Sequence, residues 1–245
     1  MISFSKEQYY IVTGASSGLG RETAKLLNEL GASVVAIARR EDKLNELKSE
    51  CKYPENLYIE VKDLTEDIES LPKYVKGLKE KYGKFSGMAY CAGLGGIKPI
   101  QAVEMADMQS IFNVNYYAPI FMTKGFVDRR CNIGSGASVV AIASAGAIGC
   151  DPGMTCYAGS KGALISSMKA ISREVVKQGI RINTVSPTLI GTDMAGEIER
   201  EYAQGKYPLG IGEPSDVANM IAYLLSDRAK WITTQNYIID CGAMV

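Results

Sequence analysis

Tyr157 and Lys161 stand four residues apart in the stretch Tyr157-Ala158-Gly159-Ser160-Lys161. On a helix that spacing puts both side chains on one face, where an ammonium stabilises a phenolate and turns a tyrosine into a proton donor or acceptor. An unperturbed phenol has a pKa of about 10, and bringing it to neutrality takes roughly 4 kcal/mol, which a close cation in a partly desolvated site supplies. By itself such a pair is more often a helix-start aromatic and a solvated lysine. Here Ser144 adds a hydroxyl at the end of an apolar run, thirteen residues before Tyr157, so a strand end, a loop and a helix start converge. The chain has no histidine. That removes the serine triad and every other histidine base, leaving acid–base work to Tyr, Lys, Asp, Glu or Cys.

These groups need elements to position them, and the hydrophobic pattern supplies an alternation. Short apolar runs predict strands at 9–12, 33–38, 57–61, 85–90, 138–143, 180–185 and 237–240. Between them, helical spacing predicts helices after Gly20 up to Gly31, and over about 40–50, 68–82, 105–112, 116–127, 156–178 and 214–225. Pro187 is expected to break whatever follows the sixth strand, and 194–204 reads as a helical insert in a substrate loop at about 188–212. Runs such as Ser33–Ala38 are apolar throughout, as strands buried on both faces of a parallel sheet are. The expected fold is one α/β domain over 1–245, a Rossmann-type doubly wound, seven-stranded, mostly parallel sheet with helices on both faces.

Gly14, Gly18 and Gly20 lie between the first strand and the first helix, in Thr13-Gly14-Ala15-Ser16-Ser17-Gly18-Leu19-Gly20. A glycine-rich turn there aims backbone N–H groups and the helix N-terminus at a pyrophosphate and lets the ligand approach closely. The plain alternative is a structural turn, but a strand before it and a helix after it favour a dinucleotide.

With Asp63-Leu64, Cys91-Ala92-Gly93, Asn115 and Pro187 to Thr192 added, the sequence resembles the short-chain dehydrogenase/reductase family, in its single-domain branch, over essentially its whole length. The resemblance implies an NAD(P)-dependent oxidoreductase acting on CH–OH groups, such as a 3-oxoacyl-carrier-protein reductase or a related carbonyl reductase. It implies Tyr157 as the residue that exchanges a proton with the substrate oxygen, and Lys161 as the group that lowers the tyrosine pKa and binds the nicotinamide ribose. Ser144 would orient the substrate carbonyl, and Asn115 would support a water chain to the lysine. Cofactor contacts are expected from Gly14, Ser16, Ser17, Gly18, Leu19, Gly20, Asp63, Leu64, Cys91, Ala92, Gly93, Tyr157, Lys161, Pro187, Ile190 and Thr192. The second strand ends at Ala38 followed by Arg39 and Arg40, with no carboxylate to hold the ribose diol of NAD. A guanidinium suits the extra phosphate of NADP, so NADP is favoured over NAD and Arg39 joins the cofactor set; the bland reading is two solvated arginines. The chain departs from the family pattern twice. Cys91 stands where the family has asparagine, removing a strand-stabilising amide, and Thr188 follows Pro187 where the family has glycine.

Bulk properties exclude other classes. Lysine plus arginine equals aspartate plus glutamate at 27 each, so no global field attracts nucleic acid or anionic membrane. Six scattered cysteines without a C-x-x-C argue against a disulfide framework or a zinc site, and no metal is expected. Cys150 and Cys156 read as core or pocket lining. A cytoplasmic location is expected from the lack of a leader or a spanning segment. The substrate-facing set is expected to be apolar: Leu94, Ala145, Ile148, Cys150, Met154, Met194 and Ile198. An acidic carrier protein, if one is the partner, would dock on Lys124, Arg129, Arg130 and Arg173, provided these share a face. The small-residue stripe Gly159, Ala163 and Ser167 is read as internal packing or as a helix pairing in a dimer or homotetramer. Sugar, steroid and small-ketone substrates stay open, and so does a non-catalytic NADP(H) sensor or assembly subunit.

Overall fold

The computed structural model describes residues 2–192 and 207–243. Seven strands form one sheet: β1 Tyr9–Thr13, β2 Ser33–Ala38, β3 Leu57–Val61, β4 Phe85–Tyr90, β5 Ser138–Ile142, β6 Arg181–Pro187 and β7 Asn236–Ile239. Their order is β3-β2-β1-β4-β5-β6-β7, and all six pairings are parallel. The strand order reverses between β1 and β4, which opens a crevice beyond their carboxyl ends where such sheets take ligands. β2, β4, β5 and β6 are buried at every residue. The apolar runs therefore mean what a doubly covered sheet requires.

Alternation along β1 divides the core. Tyr10 and Val12 point into a layer with the helices α1 (Gly18–Glu29) and α2 (Glu41–Glu50). Ile11 points into the other, with α3 (Leu71–Tyr82). Two further helices follow β4: α4 (Met105–Phe112) and α5 (Ala118–Phe126). The short α6 (Gly146–Gly149) and the long α7 (Thr155–Val175) come after β5, and α8 (Pro214–Leu225) packs on α1. Glu213 and Asp216 close a capping box at the start of α8, with Pro214 in its first turn, where the missing N–H removes no helical bond.

The structure departs from the pattern-based expectation in three places. The two helical segments around Asn115 are one run joined by a π-helical turn, Asn113–Tyr117; the wider turn breaks the 3.6-residue period that pattern matching follows. The turn α6 is too short to carry a period. β6 runs two residues past its expected end and stops at Pro187, which pairs with Ile239, because a missing N–H is harmless at the last residue of a strand. The predicted insert at 194–204 lies outside the described residues.

α7 is seated by Cys156, Ser160, Lys161, Leu164, Met168, Ser172 and Val175, all buried, so its inward face runs from the catalytic candidates to its far end. Leu164 is fully buried among β4, β5 and α5 side chains. Leu164→Ala should lower stability by about 2–5 kcal/mol, read as a lower urea midpoint at unchanged m-value.

Candidate active site

The crevice begins with the glycine turn. Gly14 has φ +68°, and a Cβ there would lie 2.8 Å from the Ala92 nitrogen, so this position is closed to any side chain. A Cβ on Gly18 would come within 3.3 Å of the Thr192 methyl, which places Thr192 against the turn. α1 starts with no side-chain cap and no acidic residue in its first turn, leaving its N–H groups and the positive end of its dipole available to an anion. The dinucleotide fits this cradle. Thr13 Oγ1 accepts hydrogen bonds from the N–H groups of both Cys91 and Ala92, each at 3.1 Å. A threonine hydroxyl thus ties β1 to β4 beside the cysteine that replaces the family's amide.

Of the two arginines after β2, it is Arg40 that reaches the turn, donating to Ser16 Oγ at 3.0 Å and Ser17 Oγ at 2.8 Å. Arg39 turns outward and lies 3.6 Å from the Asp63 carboxylate. The expectation from sequence names Arg39, whereas the geometry brings Arg40 to the turn: two adjacent residues at a strand end point opposite ways, and the hydroxyls of Ser16 and Ser17 receive Arg40. Burial pushes the Asp63 carboxyl up, but hydrogen bonds from Thr65 and the Arg39 charge outweigh it and hold the group below its ordinary value. Leu64 beside it is buried and Leu19 half-buried.

Lys161 is 3% exposed. Its Nζ donates to the Ile142 carbonyl at 2.7 Å and stands 6.0 Å from the centroid of the Tyr157 ring. At that distance and an effective dielectric of about 20, the ammonium stabilises a negative charge at the ring by roughly 3 kcal/mol, the direction that favours a phenolate. Burial lowers the Lys161 pKa to about 8, opposed by Cys91. Cys91 stays a neutral thiol, since burial pushes it up to about 12. Gly93 leaves the approach open: a Cβ there would be 3.5 Å from both Lys161 Nζ and Asn115 Oδ1.

Asn115 sits in the π-helical turn, fully buried. Its carboxamide accepts from the Leu94 N–H at 2.9 Å, donates to the Leu94 carbonyl at 2.9 Å and donates to Ser160 Oγ at 3.1 Å. It clamps the segment after Gly93 to α7, a pairing that sequence did not signal. Ser144 follows β5, nearly buried, and its Oγ accepts from the Gly146 N–H at 3.1 Å. That leaves the hydroxyl proton free to donate elsewhere. Ala145 N–H donates to the Pro187 carbonyl at 2.9 Å, tying this turn to the 187–192 segment, where Ile190 is buried and bridges Gly212. Thr188 N–H donates to Ile239.

A family model described as enoyl-(acyl carrier protein) reductase matches residues 14–244. The chain belongs to the short-chain dehydrogenase/reductase family. It is 31% identical over 239 residues to the 3-oxoacyl-[acyl-carrier-protein] reductase FabG of Rickettsia conorii, covering 96% of each chain. It is 30% identical over 242 residues to the L-rhamnose 1-dehydrogenase (NAD(P)(+)) of a Sphingomonas strain, covering 96% of this chain and 95% of the relative. The solved short-chain dehydrogenase/reductase of Brucella melitensis matches with TM-score 0.92 at 25% identity over the full length of both. This short-chain dehydrogenase/reductase is therefore a nicotinamide-dependent oxidoreductase acting on CH–OH or carbonyl groups.

Around the site, Leu94, Ile148 and Cys150 are exposed, Met154 is half-buried and Ala145 is buried; Met194 and Ile198 lie outside the described residues. The four cations expected to receive a carrier protein do not rim the crevice. Arg129 and Arg130 adjoin the start of β4, where Phe85 N–H bonds to Cys131, and Arg130 is taken by Asp128 at 2.6 Å. Lys124 lies nine residues past Asn115 and Arg173 twelve past Lys161, about 13 and 18 Å along their helices, both leading away. Among the described residues no helix is long and apolar enough to cross a membrane, and no cluster of three metal-ligating side chains occurs.

The Lys161 shift has a consequence for stability. Below about pH 8 the lysine is protonated folded and unfolded, and the cost of burying it is fully present; between about 8 and 10.5 the unfolded chain holds the extra proton, so stability rises with pH. Relative to Lys161→Met, wild type should gain roughly 2–3 kcal/mol between pH 8 and 10, measured by urea denaturation across that range.

Proposed function

We propose that the chain is an NADP-dependent carbonyl reductase or alcohol dehydrogenase in which Tyr157 is the general acid–base. The observation that carries this reading is the buried Lys161 ammonium, fixed by the Ile142 carbonyl within 6.0 Å of the Tyr157 ring. When bound, the nicotinamide supplies or accepts the hydride. Tyr157 gives its hydroxyl proton to the substrate oxygen in reduction and takes one in oxidation, and the Lys161 charge stabilises the phenolate. Ser144 donates its free proton to the same oxygen, while Asn115 positions Lys161 and Gly93 through its bonds to Leu94 and Ser160.

The preference for NADP rests on Arg40, whose guanidinium is held over the turn by Ser16 and Ser17, and on the absence of a carboxylate at the end of β2. The substrate class follows the apolar rim of Leu94, Ile148 and Met154, which suits an acyl or other uncharged carbonyl compound better than a charged one. A 3-oxoacyl thioester is the leading candidate, in keeping with the activity named for the Rickettsia relative. Self-association is part of the reading: Gly159 is exposed on α7 beside Phe112, while Ser167 is occupied by Tyr116.

Tyr157→Phe should abolish NADPH oxidation across a panel of thioesters, ketones and keto sugars while leaving NADPH affinity nearly intact; wild-type turnover in this variant overturns the role. Arg40→Ser should weaken NADPH at least tenfold, the loss of one charge-assisted contact, and leave NADH little changed, as read by cofactor fluorescence titration. An equal effect on both cofactors would reject the phosphate contact.

A further inference from the structure

Seven ion pairs join the described side chains, using Arg21, Arg39, Lys43, Lys62, Lys81, Lys98 and Arg130. Three other cations, Lys84, Arg129 and Lys177, line one concavity of about 340 Å³ at the opposite end of the sheet from the crevice. None of them meets a carboxylate in those pairs. Two of them are held instead by neutral acceptors: Lys84 Nζ by the Arg129 carbonyl at 3.4 Å, and Arg129 Nε by Gln178 Oε1 at 3.4 Å. The nearby Asp128 is committed to Arg130. Lys76 and Lys79 on α3 add positive field from beside it, since both act on groups in the 128–131 turn.

Three helix ends oppose this charge, the first being α3, which ends at Tyr82 just before Lys84. α5 and the 3-10 turn that finishes α7 (Val176–Gln178) both terminate here, each worth about half a negative charge. About half of the three positive charges stays uncompensated, before Lys76 and Lys79 are added, in a molecule whose formal charge is zero. The floor is rigid: the Asn132 carboxamide donates to Phe126 and Asp128 carbonyls and accepts from Gly134 N–H.

We infer that this concavity is a binding site for a small polyanion carrying two or more phosphate or carboxylate groups. Three cations on three different elements (the start of β4, the turn after α5 and the end of α7) call for more than one anionic group, and the volume suits a small ligand. Those elements lead at their other ends to Gly93, Asn115 and Tyr157, so the ligand would brace the frame of the crevice from behind.

The test uses inorganic pyrophosphate on the full chain saturated with NADPH, which keeps the glycine turn from taking the probe. Calorimetry and thermal unfolding at constant ionic strength compare wild type with the triple variant Lys84→Gln, Arg129→Gln, Lys177→Gln. Pyrophosphate and citrate should each raise the wild-type Tm, acetate should not, and the triple variant should bind pyrophosphate at least tenfold more weakly with NADPH affinity unchanged. Equal pyrophosphate affinity in both proteins, or a Tm rise that acetate reproduces, overturns the site.

Discussion

The structure turns on a buried cation that has no counter-charge among the described residues. Lys161 has lost nearly all contact with water, its Nζ donates to a neutral carbonyl, and burial is the largest influence on its titration, pulling it down. Among the described residues no carboxylate pairs with it. Such an arrangement works against folding, and perturbed groups of this kind concentrate where a protein does chemistry. An acidic neighbour would make the fold safer and the lysine useless, because its field would end on that neighbour instead of on the Tyr157 ring.

The surroundings are built to keep that field directed. A neutral thiol at Cys91, a glycine at 93 and the self-satisfied carboxamide of Asn115 surround the ammonium with groups that neither compete for it nor screen it. The sheet brings them together because its parallel strands all end on one edge, so the residues after β1, β4, β5 and β6 become neighbours despite lying far apart in sequence. The Ala145 to Pro187 hydrogen bond and the close approach of Thr192 to Gly18 then join the substrate side to the cofactor side. Positioning comes from backbone hydrogen bonds to rigid elements, which hold geometry more closely than loops do.

Much of this was legible in the chain because the relevant signals are local. Unbroken apolar runs gave the buried strands, and the spacing of Gly14, Gly18 and Gly20 between a strand and a helix marked the nucleotide turn. Tyr157 and Lys161 were readable because four residues is nearly one helical turn. What escaped depends on distant partners. Arg40 rather than Arg39 faces the turn because two serine hydroxyls await it across the β1–β2 edge. The grouping of Arg129 with Lys84 and Lys177, away from the crevice, needs the ends of three elements to be placed in space. The clamp on Leu94 could not be read either, since a lone asparagine in a helical stretch ordinarily bonds its own backbone.

The π-helical turn at Asn113–Tyr117 carries a consequence for how this chain can vary. It holds one residue more than a regular turn would, and removing that residue would let α4 and α5 merge into an unbroken helix. Intrinsic helical preference would gain, yet everything on one side of the cut would rotate by about 100° relative to the other, swinging either Asn115 or the α5 packing face out of register. The irregularity is thus a fixed length standard. Single-residue deletions here would be excluded even where they make a better helix.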